Sequence, residues 1–305
     1  MKTDDFGNRM KAYEAIETRR TFIPLLPIYA RLDGRSFHSF TNGLARPYDV
    51  NITQAMLHTA KYLVEHTQAR IAYTQSDEIS LVWLQDFFDS ELLFARRIQK
   101  LNSTLAAIAT AAFNHFCFVN PTLKSRAALM PPTFDCRTFQ LPNKTEAANA
   151  FLWREQDATK NAISMAARSF YPHKTLLGKT GPEMQELIFQ KGQNFNDYPP
   201  FFKRGTFLRK ITVERPFTPE ELAAIPEKYR PPTTTLVKRS KIVELDMPPF
   251  ARVLNREAVI FDKATPITPL PDTNTTSTAP TTATTTATID YPPPPATGPA
   301  PANLD

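Results

Sequence analysis

The sequence predicts an α+β fold, because short apolar runs of strand character alternate with longer segments whose apolar residues recur at helical spacing. Strands are expected at residues 28–32, 71–74, 79–84 and 134–140, and helices at 5–19, 51–70 and 89–118. The four polar residues 75–78 separate the second strand from the third, as in a β-hairpin. After the first helix the order is therefore β-α-β-β-α-β, which is the split βαβ or ferredoxin-like pattern.

Each element has its own local signal. Asp4 or Asp5 caps the first helix, and Asp33-Gly34 permits a tight turn where the first strand ends. Apolar residues would form the buried sides of the two later helices, namely Ile52, Met56, Ala60, Leu63 and Val64 in one and Leu92, Leu93, Ala95, Ile98, Leu101, Leu105, Ile108 and Phe113 in the other. The topology would place the first strand beside the strand that opens the hairpin.

Three acidic residues, Asp33, Asp77 and Glu78, stand where apolar runs end. If the first strand and the tip of the hairpin are neighbours, these carboxylates face one another. Mg²⁺ takes one or two carboxylates together with substrate phosphates, and a pair of such ions can move phosphoryl groups. Taken alone, Asp-Gly is a common turn and Asp-Glu a common exposed pair, so either motif also has a purely structural explanation.

The composition changes near residue 262. From there the chain holds 13 Thr and 10 Pro and almost no large apolar residues, which predicts a disordered tail. The tail carries four Asp and one Lys, a net charge of −3, so the formal +6 of the whole chain becomes +9 for the body. A basic body suits an anionic partner, although charge that serves solubility alone would give the same sum.

The two cysteines, Cys117 and Cys136, lie in apolar surroundings without the spacing of a zinc site. With no signal peptide upstream, they are expected to be reduced core residues of a cytoplasmic protein. No apolar run approaches the roughly 20 residues that cross a bilayer, so no membrane partner is expected.

The chain resembles the tRNA(His) guanylyltransferases and, more closely, their template-dependent relatives, which extend RNA in the 3′-to-5′ direction. The resemblance covers residues 4–210 and rests on motifs in one order: Asn8-Arg9-Met10-Lys11, Arg31-Leu32-Asp33-Gly34-Arg35-Ser36-Phe37-His38, Arg46-Pro47-Tyr48-Asp49, Ser76-Asp77-Glu78-Ile79-Ser80, Arg96-Arg97-Ile98-Gln99-Lys100, Phe134-Asp135-Cys136-Arg137, Trp153-Arg154 and Phe202-Lys203-Arg204-Gly205-Thr206.

This resemblance implies a polymerase-type palm domain at residues 1–140, an extension at 141–261 that completes the body and its RNA-binding surface, and the Thr/Pro tail at 262–305. It implies an enzyme that uses two Mg²⁺ ions, activates the 5′ end of a tRNA or tRNA-like RNA with ATP or GTP, and then adds NTPs there. It also implies a homotetramer built as a dimer of dimers.

The resemblance also assigns roles to residues. It implies that Asp33, Asp77 and Glu78 are catalytic, with Asp33, Gly34 and Asp77 as metal ligands. It implies nucleotide binding by Gly34, Arg35, Ser36, Phe37, His38, Arg46, Asp49 and Ser76, in which backbone N–H groups of 34–38 cradle triphosphate. The phosphates of the activated 5′ end would be bound by Arg97, Lys100, Ser103 and Asn161.

Several of these residues have a plainer interpretation. Arg96, Arg97 and Lys100 could form a solvated basic face of a helix, and His38 could be a packing or surface histidine. For the aromatic side chains of Phe37, Phe40 and Tyr48, packing in the core is favoured over stacking on a base. For Asp135, a structural role at the end of a strand or in an ion pair with Arg137 is favoured over metal binding.

The chain departs from the guanylyltransferase pattern in two places. A His-Ile-Asn-Asn-Leu-Tyr-Asn signature is replaced by Thr159-Lys160-Asn161-Ala162-Ile163-Ser164-Met165, which resembles the template-dependent branch. The family lysine of Lys-Pro-Asn-Asp appears as Arg46, which keeps the charge and changes the hydrogen-bonding geometry. Two other hypotheses remain open, a nucleotide cyclase-like enzyme on the same palm and a non-catalytic RNA-binding protein.

Overall fold

The strands and helices follow the predicted order in the computed structural model, which describes residues 4–269. The strands are β1 (Ile28–Arg35), β2 (Ile71–Gln75), β3 (Glu78–Trp83), β4 (Thr133–Gln140), β5 (Thr206–Pro216) and β6 (Leu236–Glu244). The α-helices are α1 (Asp5–Thr18), α2 (Phe37–Phe40), α3 (Val50–Thr67), α4 (Ile98–Val119), α5 (Lys124–Leu129), α6 (Lys144–Arg168), α7 (His173–Leu176), α8 (Gly181–Gln190), α9 (Pro200–Arg204), α10 (Pro219–Ala224) and α11 (Arg256–Phe261). The predicted α+β class is confirmed. None of the helices within residues 4–269 has both the length and the apolar character needed to cross a membrane.

All six strands form one antiparallel sheet in the order β4-β1-β3-β2-β5-β6. The expectation that β1 lies beside the strand opening the hairpin is wrong, because β1 pairs with β3, the strand that closes it. The opening strand β2 has β3 on one side and β5 on the other, so no edge is left for β1. The register still places Asp33 opposite Glu78.

Helices cover both faces of this sheet, and side-chain alternation along β1 divides the core between them. Ile28, Ala30 and Leu32 pack in one buried cluster with residues of α3 and α4. Tyr29 points to the opposite face and packs against Phe151 of α6. Of the apolar residues predicted for α3, four are buried, Met56, Ala60, Leu63 and Val64, and Ile52 packs against the same cluster.

The helix predicted for 89–118 begins later, at Ile98. Phe94, Ala95 and Arg96 have φ values of 53°, 49° and 61°, so the preceding turn is not α-helical. The cause is a contact distant in sequence. The Phe22 N–H donates to the Arg96 carbonyl at 3.1 Å, and the Ile98 N–H donates to the Arg20 carbonyl at 3.0 Å, so this backbone pairs with residues 20–22 instead of continuing a helix.

The predicted disorder from residue 262 does not hold for the first residues of that segment. The Leu254 N–H donates to the Ile267 carbonyl, and the Asn255 side chain accepts from the Ile267 N–H, both at 2.8 Å. Arg209 donates to the Ala264 carbonyl at 3.1 Å. Residues 262–267 are therefore attached to the body, and residues 270–305 of the predicted tail lie outside the described residues.

Gly205 occupies a backbone position that other residues fit poorly. Its φ and ψ are 76° and −171°, and a Cβ there would lie 2.6 Å from the Thr74 carbonyl oxygen. Gly192 has a similar φ of 82° with nothing within 4 Å of the corresponding position. A substitution at Gly192 therefore meets a positive φ without a steric clash, whereas one at Gly205 meets both.

We expect Gly205→Ala to lower the free energy of unfolding by about 3 kcal/mol, since backbone strain and overpacking add. Gly192→Ala should cost about 1 kcal/mol from the left-handed backbone alone. Urea-induced unfolding measures both losses. Equal losses would show that the approach of residue 205 to β2 is not close.

Candidate active site

The candidate active site lies where β1 ends beside the turn between β2 and β3. Asp33 is opposite Glu78 on β3 and opposite Asp135 on β4. Asp77 lies in the two-residue turn of the hairpin, and the Gly34 N–H donates to its carbonyl oxygen at 3.0 Å. The structure therefore brings together Asp33, Asp77 and Glu78, as the sequence predicted.

Asp33 and Asp77 form an acidic pair at this position. Burial raises the pKa of Asp77, and the negative charge of Asp33 raises it further. Neither carboxylate forms an ion pair with Lys or Arg in the part of the chain that the structure describes. A bound cation would relieve this repulsion.

Glu78 differs from these two residues because Arg154 of α6 neutralises it. The guanidinium donates Nε to Oε1 and Nη2 to Oε2 of Glu78, both at 2.7 Å. Burial raises the pKa of Glu78, and the hydrogen bonds from Arg154 oppose that rise. Arg154 also contacts Asp157 at 3.1 Å, which holds the guanidinium in place. The negative charge of Glu78 is thus neutralised by a residue of the protein itself.

The donor set fits a magnesium site that is completed by substrate. Two carboxylates, Asp33 and Asp77, supply hard oxygens, and Mg²⁺ usually keeps several waters and takes phosphate oxygens as further ligands. No group of three or more His, Cys, Asp or Glu side chains among residues 4–269 is arranged to hold a metal. A cation at this position would therefore depend on phosphate or water for its remaining ligands.

The loop after Gly34 is anchored by aromatic packing. Phe37 is buried, with its ring centroid 5.2 Å from those of both Phe113 and Phe134. A Cβ on residue 34 would lie 2.4 Å from the Phe37 ring, so glycine is required for this packing. Ser36 has a φ of 56° and precedes α2. The first N–H groups of a helix have no acceptor within it, so those of α2 can bind a ligand.

Side chains around this loop occupy two environments. Arg35, Ser36 and His38 are exposed beside the acidic pair. Phe40 and Tyr48, like Phe37, are buried, which supports packing over base stacking for these rings.

A neighbouring cleft brings together three residues predicted to bind nucleotide, Arg46, Asp49 and Ser76. Apolar side chains, including those of Tyr48 and Met165, form much of its wall. Asp49 also has a structural task, since it caps α3 by accepting from the Asn51 N–H at 2.9 Å. The cleft adjoins the acidic turn because Ser76 immediately precedes Asp77.

The residues predicted to bind the activated 5′ end do not form one cluster. Asn161 lies on α6 and donates to Asp157 at 3.4 Å. Arg97 precedes α4, and Lys100 and Ser103 lie in its first two turns, all three exposed. The prediction that Arg96, Arg97 and Lys100 share one helix is wrong, because only Lys100 is inside α4.

Two contacts give the direction of α4 along β4. Asn102 accepts from the Thr138 N–H at 2.8 Å, and Thr110 accepts from the Phe134 N–H at 3.1 Å. Thr138 pairs with Ala30 of β1, three residues or about 10 Å before Asp33. The amino end of α4 is therefore displaced from the acidic pair within a single chain.

Sequence reasoning missed the role of Arg154. Trp153-Arg154 was recognised as a motif without a contact being assigned to it, and its partner Glu78 lies 76 residues away in the chain. An arginine three residues before an acid on a helix was the only local signal, and that pattern also describes an ordinary surface ion pair.

Comparison with known proteins identifies the family. Residues 7–142 match the family described as "Thg1: tRNAHis guanylyltransferase". A solved bacterial tRNA(His) guanylyltransferase (Thg1)-like protein in complex with ATP is 38% identical, with a TM-score of 0.63 over 67% of this chain and 88% of that one. The chain belongs to the Thg1 family. The expectation of a nucleotidyltransferase is confirmed with it.

Two further members of the Thg1 family show how widely the likeness extends. A bacterial Thg1-like protein in complex with GTP is 31% identical, with a TM-score of 0.61 over 81% of this chain and 94% of that one. The tRNA(His) guanylyltransferase of Schizosaccharomyces pombe is 29% identical over 220 residues, which are 68% of this chain and 80% of the yeast protein.

We expect Arg154→Met to lower the free energy of unfolding of this Thg1 family member by about 3 kcal/mol, since it leaves Glu78 buried and unpaired. Adding Glu78→Gln should recover most of that loss. The folded-state pKa of Glu78 is raised above its unfolded value. Removing Arg154 takes away the hydrogen bonds that oppose this rise, so the loss should be smallest below the unfolded pKa of Glu78 and reach its full size as pH rises through the folded-state pKa of the Arg154→Met variant.

Urea-induced unfolding between about pH 4 and pH 8 measures this dependence for both variants. A loss that is the same at every pH, or that Glu78→Gln does not reduce, would contradict a charged pair between β3 and α6.

Proposed function

We propose that the chain is a magnesium-dependent 3′-5′ nucleotidyltransferase that activates the 5′ end of a tRNA or similar RNA with ATP or GTP and then adds NTPs to it against a template. The observation that carries this proposal is the meeting of Asp33 and Asp77 beside a cleft that contains Arg46 and Ser76. Membership of the Thg1 family supports the reaction class. The replaced residues 159–165 support the template-dependent branch.

In this proposal the reaction has two displacements. A phosphate oxygen of the RNA 5′-monophosphate first attacks the α-phosphorus of ATP or GTP, and pyrophosphate leaves. The 3′-hydroxyl of the incoming NTP then attacks the activated 5′ phosphorus, loses its proton, and expels the nucleoside monophosphate. Each step forms one phosphorus–oxygen bond and breaks one.

The residues of this chain position the reactants for these steps. Asp33, Asp77 and the Gly34 carbonyl would hold Mg²⁺, which when bound supplies charge neutralisation at the phosphates and lowers the pKa of an attacking oxygen. The N–H groups at residues 36–38 would bind triphosphate oxygens, and Arg46 would add a positive charge in the cleft. The N–H group of Gly34, which the resemblance also assigned to triphosphate, donates to the Asp77 carbonyl oxygen instead. Glu78, held by Arg154, keeps the turn that carries Asp77 against the end of β1.

The proposal extends to the organisation of the protein. Residues 1–140 form a ferredoxin-like, polymerase-type palm, and residues 141–261 complete the body and its RNA-binding surface. The strand order β4-β1-β3-β2 and the basic sequence of the body support these two assignments. A homotetramer in the cytoplasm, built as a dimer of dimers, belongs to the same proposal.

We expect Asp33→Asn and Asp77→Asn each to reduce NTP addition to a 5′-truncated, 5′-activated tRNA by about 10³-fold or more, because each removes a metal-binding charge worth several kcal/mol. Labelled NTP incorporation measures this, with the opposing template nucleotide varied. Circular dichroism checks that both variants are folded.

Asp135→Asn is the matched control for metal binding. Its carboxylate is also opposite Asp33, but it pairs with Arg137 at 3.6 Å. Mn²⁺ binding, followed by electron paramagnetic resonance, should weaken in the Asp33 and Asp77 variants and not in this one. Full incorporation by Asp33→Asn would refute the metal assignment, and NTP turnover without RNA would favour a cyclase-like reaction.

A further inference from the structure

Part of the sheet face that carries Asp33 is exposed to solvent at the edge strand β4. On this face α6 lies over the inner strands, with Phe151 against Tyr29 and Arg154 on Glu78. β4 is the edge strand, and its residues that share the face, Asp135, Arg137 and Phe139, are exposed. A surface is thus left between α6 and the edge of the sheet, and it ends at the acidic pair.

An exposed tryptophan, Trp153, lies beside this surface. Trp153 on α6 is 54% exposed, although large aromatic side chains usually bury most of their area. The guanidinium carbon of Arg154 lies 4.5 Å from the centre of its ring and that of Arg31 lies 5.8 Å away. These cation–π contacts hold the indole in position while much of it stays accessible.

Carboxylates of the protein do not fully neutralise Arg31 and Arg137, the two arginines of this surface. Arg31 forms no ion pair with a carboxylate among residues 4–269. The contact of Arg137 with Asp135 is 3.6 Å long and more than half exposed at both ends, so it contributes little and can exchange for another anion. The Phe139 ring lies 5.2 Å from that of Tyr29 and is 38% exposed.

The chemistry of this surface fits single-stranded nucleic acid. Aromatic rings combined with arginines bind unpaired bases and backbone phosphates with little regard to sequence. Arg31 and Asp33 are two residues apart on one face of β1, about 7 Å. A strand that contacts Arg31 therefore has its next groups within reach of the acidic pair.

We propose that Trp153, Arg31, Arg137 and Phe139 bind the unpaired 5′-terminal segment of the RNA substrate. One base stacks on the Trp153 indole, and the flanking phosphates pair with Arg31 and Arg137. The surface orients the 5′ end towards Asp33 without selecting its sequence. This inference rests on the proposed function, because it assigns the RNA end that the proposed reaction uses.

Intrinsic fluorescence tests the stacking directly, since the chain has two tryptophans. Trp83 is 3% exposed and donates its Nε1 hydrogen to the Thr67 carbonyl at 2.8 Å, so it is shielded. The probe is a 5′-monophosphorylated RNA hairpin with three unpaired 5′ nucleotides, compared with the same hairpin with a blunt end. We expect the first RNA to quench Trp153 emission and the blunt RNA to quench it far less.

Substitutions separate stacking from a general effect on the fold. Trp153→Ala should weaken binding of the unpaired RNA roughly 5- to 100-fold, the range that loss of one stacked base gives. Trp153→Phe keeps an aromatic face and should retain most of the affinity while removing the quenching. Phe189→Ala, which removes a 62% exposed ring on α8, should leave both signals as in the unaltered protein.

The outcomes distinguish this inference from the proposed function. If Trp153→Ala binds and extends the unpaired RNA as the unaltered protein does, the inference fails and the proposed function stands. If quenching occurs but no NTP is added with any template, the RNA surface stands and the proposed function fails. Quenching by NTP without RNA, equal in size to that by RNA, would overturn the assignment to RNA.

Discussion

The antiparallel pairing of β1 with β3 is the constraint on which the candidate active site depends. It places Asp33 opposite Glu78, so that the turn carrying Asp77 lies directly beside the end of β1. The hydrogen bond from the Gly34 N–H to the Asp77 carbonyl then fixes the turn against the strand. A shift of the register by one residue would direct Asp33 to the core face that Ala30 and Leu32 occupy. The alternation of side chains along β1 that builds the core therefore also determines where Asp33 lies in the acidic pair.

This pairing concentrates negative charge, and α6 compensates part of it. Arg154 satisfies Glu78, while the next residue, Glu155, is buried and accepts from the Phe250 N–H at 2.7 Å. Burial raises the pKa of Glu155 to about 7. One helix therefore links the acidic end of the sheet to the segment before α11. No basic side chain of α6 pairs with Asp33 or Asp77 in the same way, so these two carboxylates can bind a positively charged ligand.

Local patterns predicted the elements, and distant contacts explain where prediction failed. The apolar run in 79–84 and the helical spacing of Met56, Ala60 and Leu63 depend only on neighbours in the sequence, and those elements were predicted correctly. The start of α4 depends on pairing with residues 20–22, and the neighbour of β1 depends on β5 taking the free side of β2. For the site, the meeting of the acidic residues was predicted, although the topological argument for it named the wrong neighbour of β1. The partner of Glu78 was not predicted, since no local rule joins residues 76 positions apart.

The attachment of residues 262–267 sets a limit on how far the chain can be shortened. Arg209 is buried and divides its guanidinium contacts between the carbonyls of Val259 and Ala264. Removing everything after Phe261 would take away one acceptor of a buried cation, so a trimmed protein should retain Ile267. Arg209 also lies on β5 beyond the residues that pair with β2, on the side away from the Ser76-Asp77 turn. The Thr/Pro-rich sequence is consequently joined to the body at the end of the sheet opposite the carboxylates, and a label fused directly after Ile267 would start from that end.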